Sequence, residues 1–178
     1  SSEIVVILQV RILPLRPIYE VMMYTISNIL EQGELSRLVD LIDREIATDL
    51  CTAVGKYQSY NYMHTKHADD PVMQKLISAT RDITLSGQRV YLDRCWFNVC
   101  KVDSTFSFHI HPNTDLSGIF YLYGCNDSGT IFNVNNTKYQ ILSEDNSLLF
   151  FDPNLSHTIP PWKGVDRYTV AFEFLLKK

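Results

Sequence analysis

The C-terminal half of the chain, from residue 88 onwards, consists of short apolar segments separated by Asn, Asp, Gly and Pro. Aromatic and β-branched residues are frequent in these segments, and such residues favour strands. Short strands at regular spacing are typical of a sandwich or a barrel. We therefore predict strands at residues 89–102, 105–111, 116–124, 129–134, 139–142, 147–152 and 168–176.

The N-terminal half has apolar residues at helical spacing instead. Within residues 20–50, one face of a predicted helix carries Leu35, Leu38, Leu41, Ile42 and Ile46. A second helix is predicted to begin at Asp70 and Pro71 and to continue to Gly87, because Asp caps helices and Pro suits their first turn. The apolar residues 3–15 are predicted to form an opening strand.

Together these patterns predict a mainly β protein with N-terminal helices, an α+β arrangement. A chain of 178 residues can bury a full core as one domain. We expect a single domain over residues 1–178. Its N-terminal strand and supporting helices, residues 1–87, would pack on a β core formed by residues 88–178.

Composition narrows the function classes. The net charge is −4 without a basic cluster, which argues against a nucleic-acid-binding surface. The apolar start is interrupted by Gln9, Arg11 and Pro14, so we expect neither a signal peptide nor a membrane span there. The cysteines show no CxxC spacing and are interpreted as reduced thiols in a cytoplasmic protein. They are Cys51, Cys95, Cys100 and Cys125.

The histidine pair in "FSFHIHPNTD" is the first candidate for chemistry. On a strand, His109 and His111 would point to the same side, with Cβ atoms roughly 7 Å apart. Imidazole is the commonest protein ligand of first-row metals, so this spacing favours chelation. The alternative is a hydrogen-bonded core histidine beside an unrelated neighbour. A third imidazole, His157, could complete a metal site, or it could be a surface turn residue.

The other two histidines, His64 and His67, lie in "YMHTKHADD". We interpret them as solvated loop residues, with a metal or substrate role as the alternative. Asn98, in the segment before the histidine pair, could point into the same cavity as that pair.

A second candidate site lies after His157, in the segment "DRYTVAFEF". Arg167 and Thr169 would share one face of a strand, and an arginine on an apolar strand needs an anion. Guanidinium binds carboxylates through two hydrogen bonds, and the hydroxyl adds another donor. The alternative partner is a surface salt bridge to Asp166 or Glu173.

These residues resemble the 2-oxoglutarate and iron(II)-dependent oxygenases. More narrowly, they are similar to a small group from bacteria and marine phages with an HxHP segment. The matching residues are His109, His111, Pro112, Ser117, Gly118, Tyr121, His157, Arg167 and Thr169. The resemblance covers residues 95–176 and implies a double-stranded β-helix, a jelly-roll fold shared with cupins.

The resemblance also implies cofactors and roles. Fe(II) would be held by His109, His111 and His157. The distal carboxylate of 2-oxoglutarate would be bound by Arg167 and Thr169. Tyr121 matches a tyrosine that often assists that carboxylate. Molecular oxygen would be the second cosubstrate, and an unidentified small molecule or peptide would be hydroxylated.

One position departs from the family pattern. His111 stands where the family has Asp or Glu, so the ligands are either three histidines or two histidines with a carboxylate from elsewhere. Asp115 is the candidate carboxylate, because "HIHPNTD" also resembles the cupin pattern of HxH followed by an acidic ligand. A cupin-like metalloenzyme or metal-dependent small-molecule binder, which would not use 2-oxoglutarate, is therefore the alternative function. A non-catalytic binding domain is a further alternative, and a homodimer is possible through exposed strand edges.

Overall fold

The structure, a computed structural model, describes residues 23–46, 51–53, 56–85, 87–104, 106–126, 128–161 and 163–177. The helices are α1 (Gln32–Ile46), α2 (Met63–Lys66) and α3 (Pro71–Ser78). The strands of the N-terminal half are β1 (Met23–Ser27), β2 (Cys51–Ala53), β3 (Lys56–Gln58) and β4 (Thr84–Leu85). The remaining strands are β5 (Gln88–Cys100), β6 (Leu116–Tyr123), β7 (Thr130–Val134), β8 (Thr137–Ile141), β9 (Ser147–Phe151), β10 (Ser156–Thr158) and β11 (Arg167–Leu176).

The described strands form two antiparallel sheets. The larger sheet has the order β1-β9-β6-β11-β5-β3-β2, with β4 paired to β5 as an eighth strand. The smaller sheet has the order β10-β7-β8. A single bridge pairs His109 with His157 of β10 and so extends the smaller sheet. The chain is therefore mainly β, as predicted.

Strand β11 lies at the centre of the larger sheet, between β5 and β6, and its two faces differ in polarity. Val170, Phe172 and Phe174 are almost fully buried in the main core. Arg167 and Thr169 alternate with them and point to the opposite face, as the period of two requires. Bonding on both sides, to β5 and to β6, fixes the register of this second face.

The helices cover the core face of the larger sheet. Leu38, Leu41 and Ile42 of α1 are buried, whereas Leu35 and Ile46 are partly buried against the same cluster. The predicted apolar face of this helix is thus confirmed. None of the helices in the described part of the chain is long and apolar enough to cross a membrane.

The N-terminus of α3 also follows its predicted signal. The Asp70 carboxylate accepts hydrogen bonds from the backbone N–H groups of Val72 (2.8 Å) and Met73 (3.3 Å). Pro71 occupies the first turn. The end of this helix was predicted too late: α3 stops at Ser78, and Thr84 and Leu85 form β4.

Two further boundaries differ from the prediction. Residues 23–27 form β1 rather than the start of the first helix, because Thr25 and Ile26 favour a strand and β9 provides a partner. Residues 106–111 do not form a regular strand. The backbones of His109 and His111 bond to His157 and Pro153, Thr158 donates to the Phe106 carbonyl, and Pro112 follows. The predicted opening strand, residues 3–15, lies outside the described residues.

Candidate metal centre and its cavity

His109, His111 and His157 come together as a histidine cluster. One nitrogen from each ring lies within 4.8 Å of the others. The ring centroids are 4.4 Å apart for His109 and His157, and 5.1 Å apart for His111 and His157. The backbone fixes this arrangement, because His109 and His157 exchange two N–H to carbonyl bonds of 3.0 Å and His111 N donates to the Pro153 carbonyl.

Each ring of the histidine cluster has its Nδ1 bound to an oxygen that can only accept. The acceptors, in chain order, are the Ser107 carbonyl (3.3 Å), the Glu173 carboxylate (2.8 Å) and the Leu155 carbonyl (2.9 Å). In the neutral form of each ring Nδ1 therefore carries the proton, and Nε2 keeps its lone pair. Such outer contacts orient imidazole ligands on a metal. The cluster thus offers three Nε2 lone pairs to one ion.

Desolvation lowers the pKa of two of these rings. Desolvation lowers the pKa of His157 from 6.5 to about 3, more than the contact with the Leu155 carbonyl raises it, and the neighbouring imidazoles lower it further. Burial also lowers the pKa of His109, again against a raising contact with a carbonyl. Metals bind the neutral form of imidazole. At neutral pH these two rings are therefore ready to bind a metal without losing a proton.

Glu173 is a functional contact that the sequence did not reveal. Its carboxylate accepts from His111 Nδ1 at 2.8 Å and from Arg94 Nη1 at 3.1 Å, and its residue is 4% exposed. Burial raises the pKa of this carboxyl, but the His111 contact and the Arg94 charge outweigh that effect and lower it. His111 and Glu173 are 62 residues apart in the chain, so the pair depends on strand register.

The structure does not bring Asp115 into the histidine cluster. This residue is exposed and precedes β6, and its carboxylate accepts the backbone N–H of Leu176 at 2.8 Å. Its own N–H donates to the Phe174 carbonyl. Asp115 therefore joins the ends of β6 and β11.

The histidine cluster lines a cavity of about 290 Å³ that also receives Arg167 and Thr169. Arg167 is 1% exposed, and its Nη2 donates to the Gly129 carbonyl at 3.0 Å. Its Nε has no hydrogen-bond partner within the described residues. An unpaired buried guanidinium N–H is costly, so this cavity is suited to an anion.

The acidic partners considered for Arg167 are bound elsewhere. Asp166 pairs with Lys101, and Glu173 pairs with Arg94 and His111. In the described part of the chain, Arg167 forms no salt bridge. A carboxylate from a ligand would supply the missing partner.

Tyr121 supports Arg167 from outside the cavity lining. Its ring lies 5.3 Å from the guanidinium carbon, and its hydroxyl is 2.8 Å from Thr130 Oγ1. Two more cavity residues, Asn98 and Ser117, have buried side-chain oxygens without hydrogen-bond partners in the described regions. The predicted orientation of Asn98 into the cavity is confirmed.

The remaining histidines are not solvated loop residues, contrary to our interpretation. His64 lies in α2, and both His64 and His67 are partly buried. His67 Nε2 is 2.9 Å from Glu45 Oε1, and its ring stacks on Phe97. The loop became buried because α1 and β5 pack around it. Three cysteines of the described residues are free and buried: Cys95, Cys100 and Cys125.

No family model matches the sequence, and no curated protein matches it. Solved structures do resemble it. HygX from Streptomyces hygroscopicus with nickel and 2-oxoglutarate bound has a TM-score of 0.65 and 13% identity, covering 85% of this chain and 82% of HygX. The viral collagen prolyl hydroxylase of Paramecium Bursaria Chlorella virus-1, a 2-oxoglutarate complex, has a TM-score of 0.63 and 15% identity, covering 88% and 96%.

A third similar structure is an oxidoreductase of the 2OG-Fe(II) oxygenase family from Burkholderia pseudomallei. Its TM-score is 0.63 at 12% identity, covering 85% of this chain and 83% of that protein. At these identities the likeness establishes a shared fold. The chain therefore has the fold of proteins that include 2-oxoglutarate-dependent oxygenases.

Proposed function

We propose that the chain is a 2-oxoglutarate and Fe(II)-dependent oxygenase with a double-stranded β-helix core. Fe(II) would bind Nε2 of His109, His111 and His157. The distal carboxylate of 2-oxoglutarate would bind Arg167 and Thr169, with Tyr121 holding the guanidinium in place. The observation that carries the proposal is that one cavity is lined by a three-imidazole cluster and by a buried arginine whose Nε has no hydrogen-bond partner among the described residues.

The donor set fits such a metal. Three neutral imidazoles suit iron, and three protein ligands leave positions open for a chelating cosubstrate and oxygen. Metal-bound nitrogens on one face of an ion are about 3 Å apart, because each bond is about 2.1 Å. In the structure one nitrogen of each ring lies within 4.8 Å of the others.

The protein residues would do the binding and orienting. When bound, Fe(II) and 2-oxoglutarate would supply oxidising power for C–H hydroxylation, with oxygen consumed and succinate and CO2 released. Arg167 and Thr169 would fix the far end of the cosubstrate. Phe151 and Ile159 line the same cavity and would exclude water from it.

The cupin-like alternative is not favoured. It needs Asp115 as a ligand, and that carboxylate is bonded to the Leu176 backbone. It also leaves the buried Arg167 without an anion. We retain a small molecule or a peptide as the substrate class. The single-domain organisation, a cytoplasmic location and a homodimer stay predictions.

The test is anaerobic titration of the Fe(II) protein with 2-oxoglutarate, followed by the visible metal-to-ligand charge-transfer band. Wild type should show the band. Arg167→Ala should need about 10- to 100-fold more cosubstrate, because a charged hydrogen bond contributes about 1.5–3 kcal/mol. Arg89→Ala, which removes an exposed arginine, is the control and should titrate like wild type.

Metal binding by Arg167→Ala would show that the variant is folded. If wild type binds Fe(II) but develops no band at any 2-oxoglutarate concentration, the proposal is wrong. If both arginine variants titrate like wild type, Arg167 is not the carboxylate anchor.

A further inference from the structure

The metal ligands proposed above carry no negative charge of their own. Iron sites that bind 2-oxo acids commonly have two histidines and one carboxylate. Here all three groups of the cluster are imidazoles. The carboxylate that contacts the cluster is Glu173, which accepts from the ring of His111.

The backbone of Glu173 is held by strand pairing on both sides of β11, and its carboxylate is held by two contacts. It lies in β11, opposite Arg94 of β5 and Ser117 of β6 in the strand pairing. One carboxylate oxygen contacts His111 Nδ1 at 2.8 Å, and the other contacts Arg94 Nη1 at 3.1 Å. The residue is 4% exposed and lines the same cavity as the cluster.

We propose that Glu173 is a positioning residue that orients His111 toward the metal and supplies, through that ring, the negative charge that a carboxylate ligand would provide directly. The inference rests on the proposed function only for the presence of a divalent metal. Arg94 keeps the carboxylate oriented, and the hydrogen bond to Nδ1 leaves Nε2 of His111 as the ligand atom.

The expected effect has a physical basis. A carboxylate that accepts from the outer nitrogen makes imidazole a more basic ligand and holds its ring orientation. Loss of such a partner typically reduces metal affinity about 10- to 100-fold. Glutamine has nearly the shape of glutamate and can still accept from Nδ1, so Glu173→Gln removes charge while it preserves the contact.

The chain offers a matched control in Glu45. This carboxylate is 8% exposed, accepts from His67 Nε2 at 2.9 Å and pairs with Lys66, so it repeats the arrangement of carboxylate, imidazole and cation. His67 does not belong to the histidine cluster. Glu45→Gln should therefore cost stability without changing the metal site.

The experiment measures Co(II) affinity by chelator competition, together with the d–d spectrum of the Co(II) protein at saturation. Glu173→Gln should bind Co(II) about 10- to 100-fold more weakly and show a shifted spectrum. Glu45→Gln should bind within about threefold of wild type with an unchanged spectrum. Thermal unfolding of both metal-free variants would establish that they are folded and compare their stability losses.

Wild-type Co(II) affinity and spectrum in Glu173→Gln would overturn the inference. Equal losses of affinity in both variants would also overturn it, because they would indicate a general stability effect. Absence of Co(II) binding in wild type would reject the metal site and the proposed function with it. Co(II) binding that depends on Glu173, without the 2-oxoglutarate band in the iron protein, would support this inference and reject only the oxygenase.

Discussion

Tyr121 provides two separable contacts at the scale of a single residue. Its hydroxyl bonds Thr130, and its ring faces the Arg167 guanidinium. Tyr121→Phe should cost about 0.5–1.5 kcal/mol of unfolding free energy, the usual contribution of one hydrogen bond. Because the ring stays against Arg167, 2-oxoglutarate affinity should change less than about threefold. Chemical denaturation and the anaerobic titration measure the two quantities.

Tyr121→Leu removes the ring as well. A cation–π contact contributes about 0.5–2 kcal/mol, so this variant should bind 2-oxoglutarate more weakly than Tyr121→Phe. If the phenylalanine variant loses as much affinity as the leucine variant, the hydroxyl rather than the ring assists the cosubstrate.

The sequence correctly predicted which side chains share a face where this depends only on the spacing of neighbouring residues. The period of two correctly put Arg167 and Thr169 on one face, and the HxH spacing correctly paired His109 with His111. It could not predict the contact between His111 and Glu173, because that contact depends on the register between distant segments. Glu173 was considered only as a salt-bridge partner of Arg167.

Among the elements, the turn that precedes β7 contains Gly129, whose backbone conformation is constrained and whose carbonyl contacts Arg167. Gly129 has φ +63°, and a Cβ there would lie 1.8 Å from the Ile141 carbonyl oxygen. Its own carbonyl accepts from Arg167. Gly129→Ala should therefore destabilise the fold by about 2 kcal/mol or more and weaken 2-oxoglutarate binding.

Gly33→Ala is the matched control. Gly33 lies in α1, and a Cβ there would meet nothing within 4 Å. This substitution should stabilise the protein by about 0.5–1 kcal/mol, since alanine favours helix over glycine. Thermal unfolding of both variants tests the pair. Equal changes in stability in the two variants would mean that alanine is tolerated at the positive φ of Gly129.

The cap of α3 gives a pH-dependent prediction. Burial raises the pKa of Asp70, but the N–H groups of Val72 and Met73 and the Arg37 guanidinium outweigh it, so the folded pKa lies below the ordinary 3.8. Because the pKa of Asp70 is lower in the folded state, its charge stabilises the fold at every pH above the pKa of the unfolded chain. This stabilisation is lost as the pH falls through the pKa of the folded state. Asp70→Ala should cost about 1 kcal/mol at pH 7.

The difference between wild type and Asp70→Ala should shrink below pH 3.8, as urea denaturation across pH would measure. Asp70→Asn, which keeps the capping oxygen without the charge, should lose less at pH 7. A difference from alanine that is constant down to pH 2 would contradict the role of the charge.

Most of the predicted strands are present, but residues 106–111 do not form a regular strand, and several boundaries differ from the prediction. The predicted strands that became β5, β6, β7, β8, β9 and β11 are correct because their aromatic and β-branched residues have partners on a sheet. Residues 23–27 and 84–85, which were predicted to be helical, pair with β9 and β5 as strands. Such pairing is tertiary, and helical periodicity in a short window cannot anticipate it.

For the whole molecule, topology is what assembles the cavity. Strand β11 lies between β5 and β6, so Asn98 of β5 and Ser117 of β6 face the same space as Arg167. The smaller sheet closes this space with His157. The sequence predicted a mainly β protein, but the strand order, and hence the cavity, required the structure.

The whole metal-free molecule should lose stability in mild acid because of the histidine cluster. Burial lowers the folded pKa of His157 from 6.5 to about 3. Below pH 6.5 His157 therefore binds a proton in the unfolded chain but not in the folded chain, so the free energy of unfolding decreases as the pH is lowered. This ring alone should cost about 2 kcal/mol between pH 7 and pH 5, with a further contribution from His109, whose pKa is also lowered.

Urea denaturation of the metal-free protein at pH 7 and pH 5 measures this loss, and His157→Gln isolates it. The variant removes the titrating group, so its stability should depend less steeply on pH even if it is lower at pH 7. Saturating Ni(II) at pH 7 should stabilise wild type by RT ln(1 + [Ni]/Kd) and the variant far less, because the ion binds the folded cluster. An identical pH dependence in both proteins would mean that His157 is protonated as readily in the folded state as in the unfolded chain, which would contradict its role as a preformed neutral ligand.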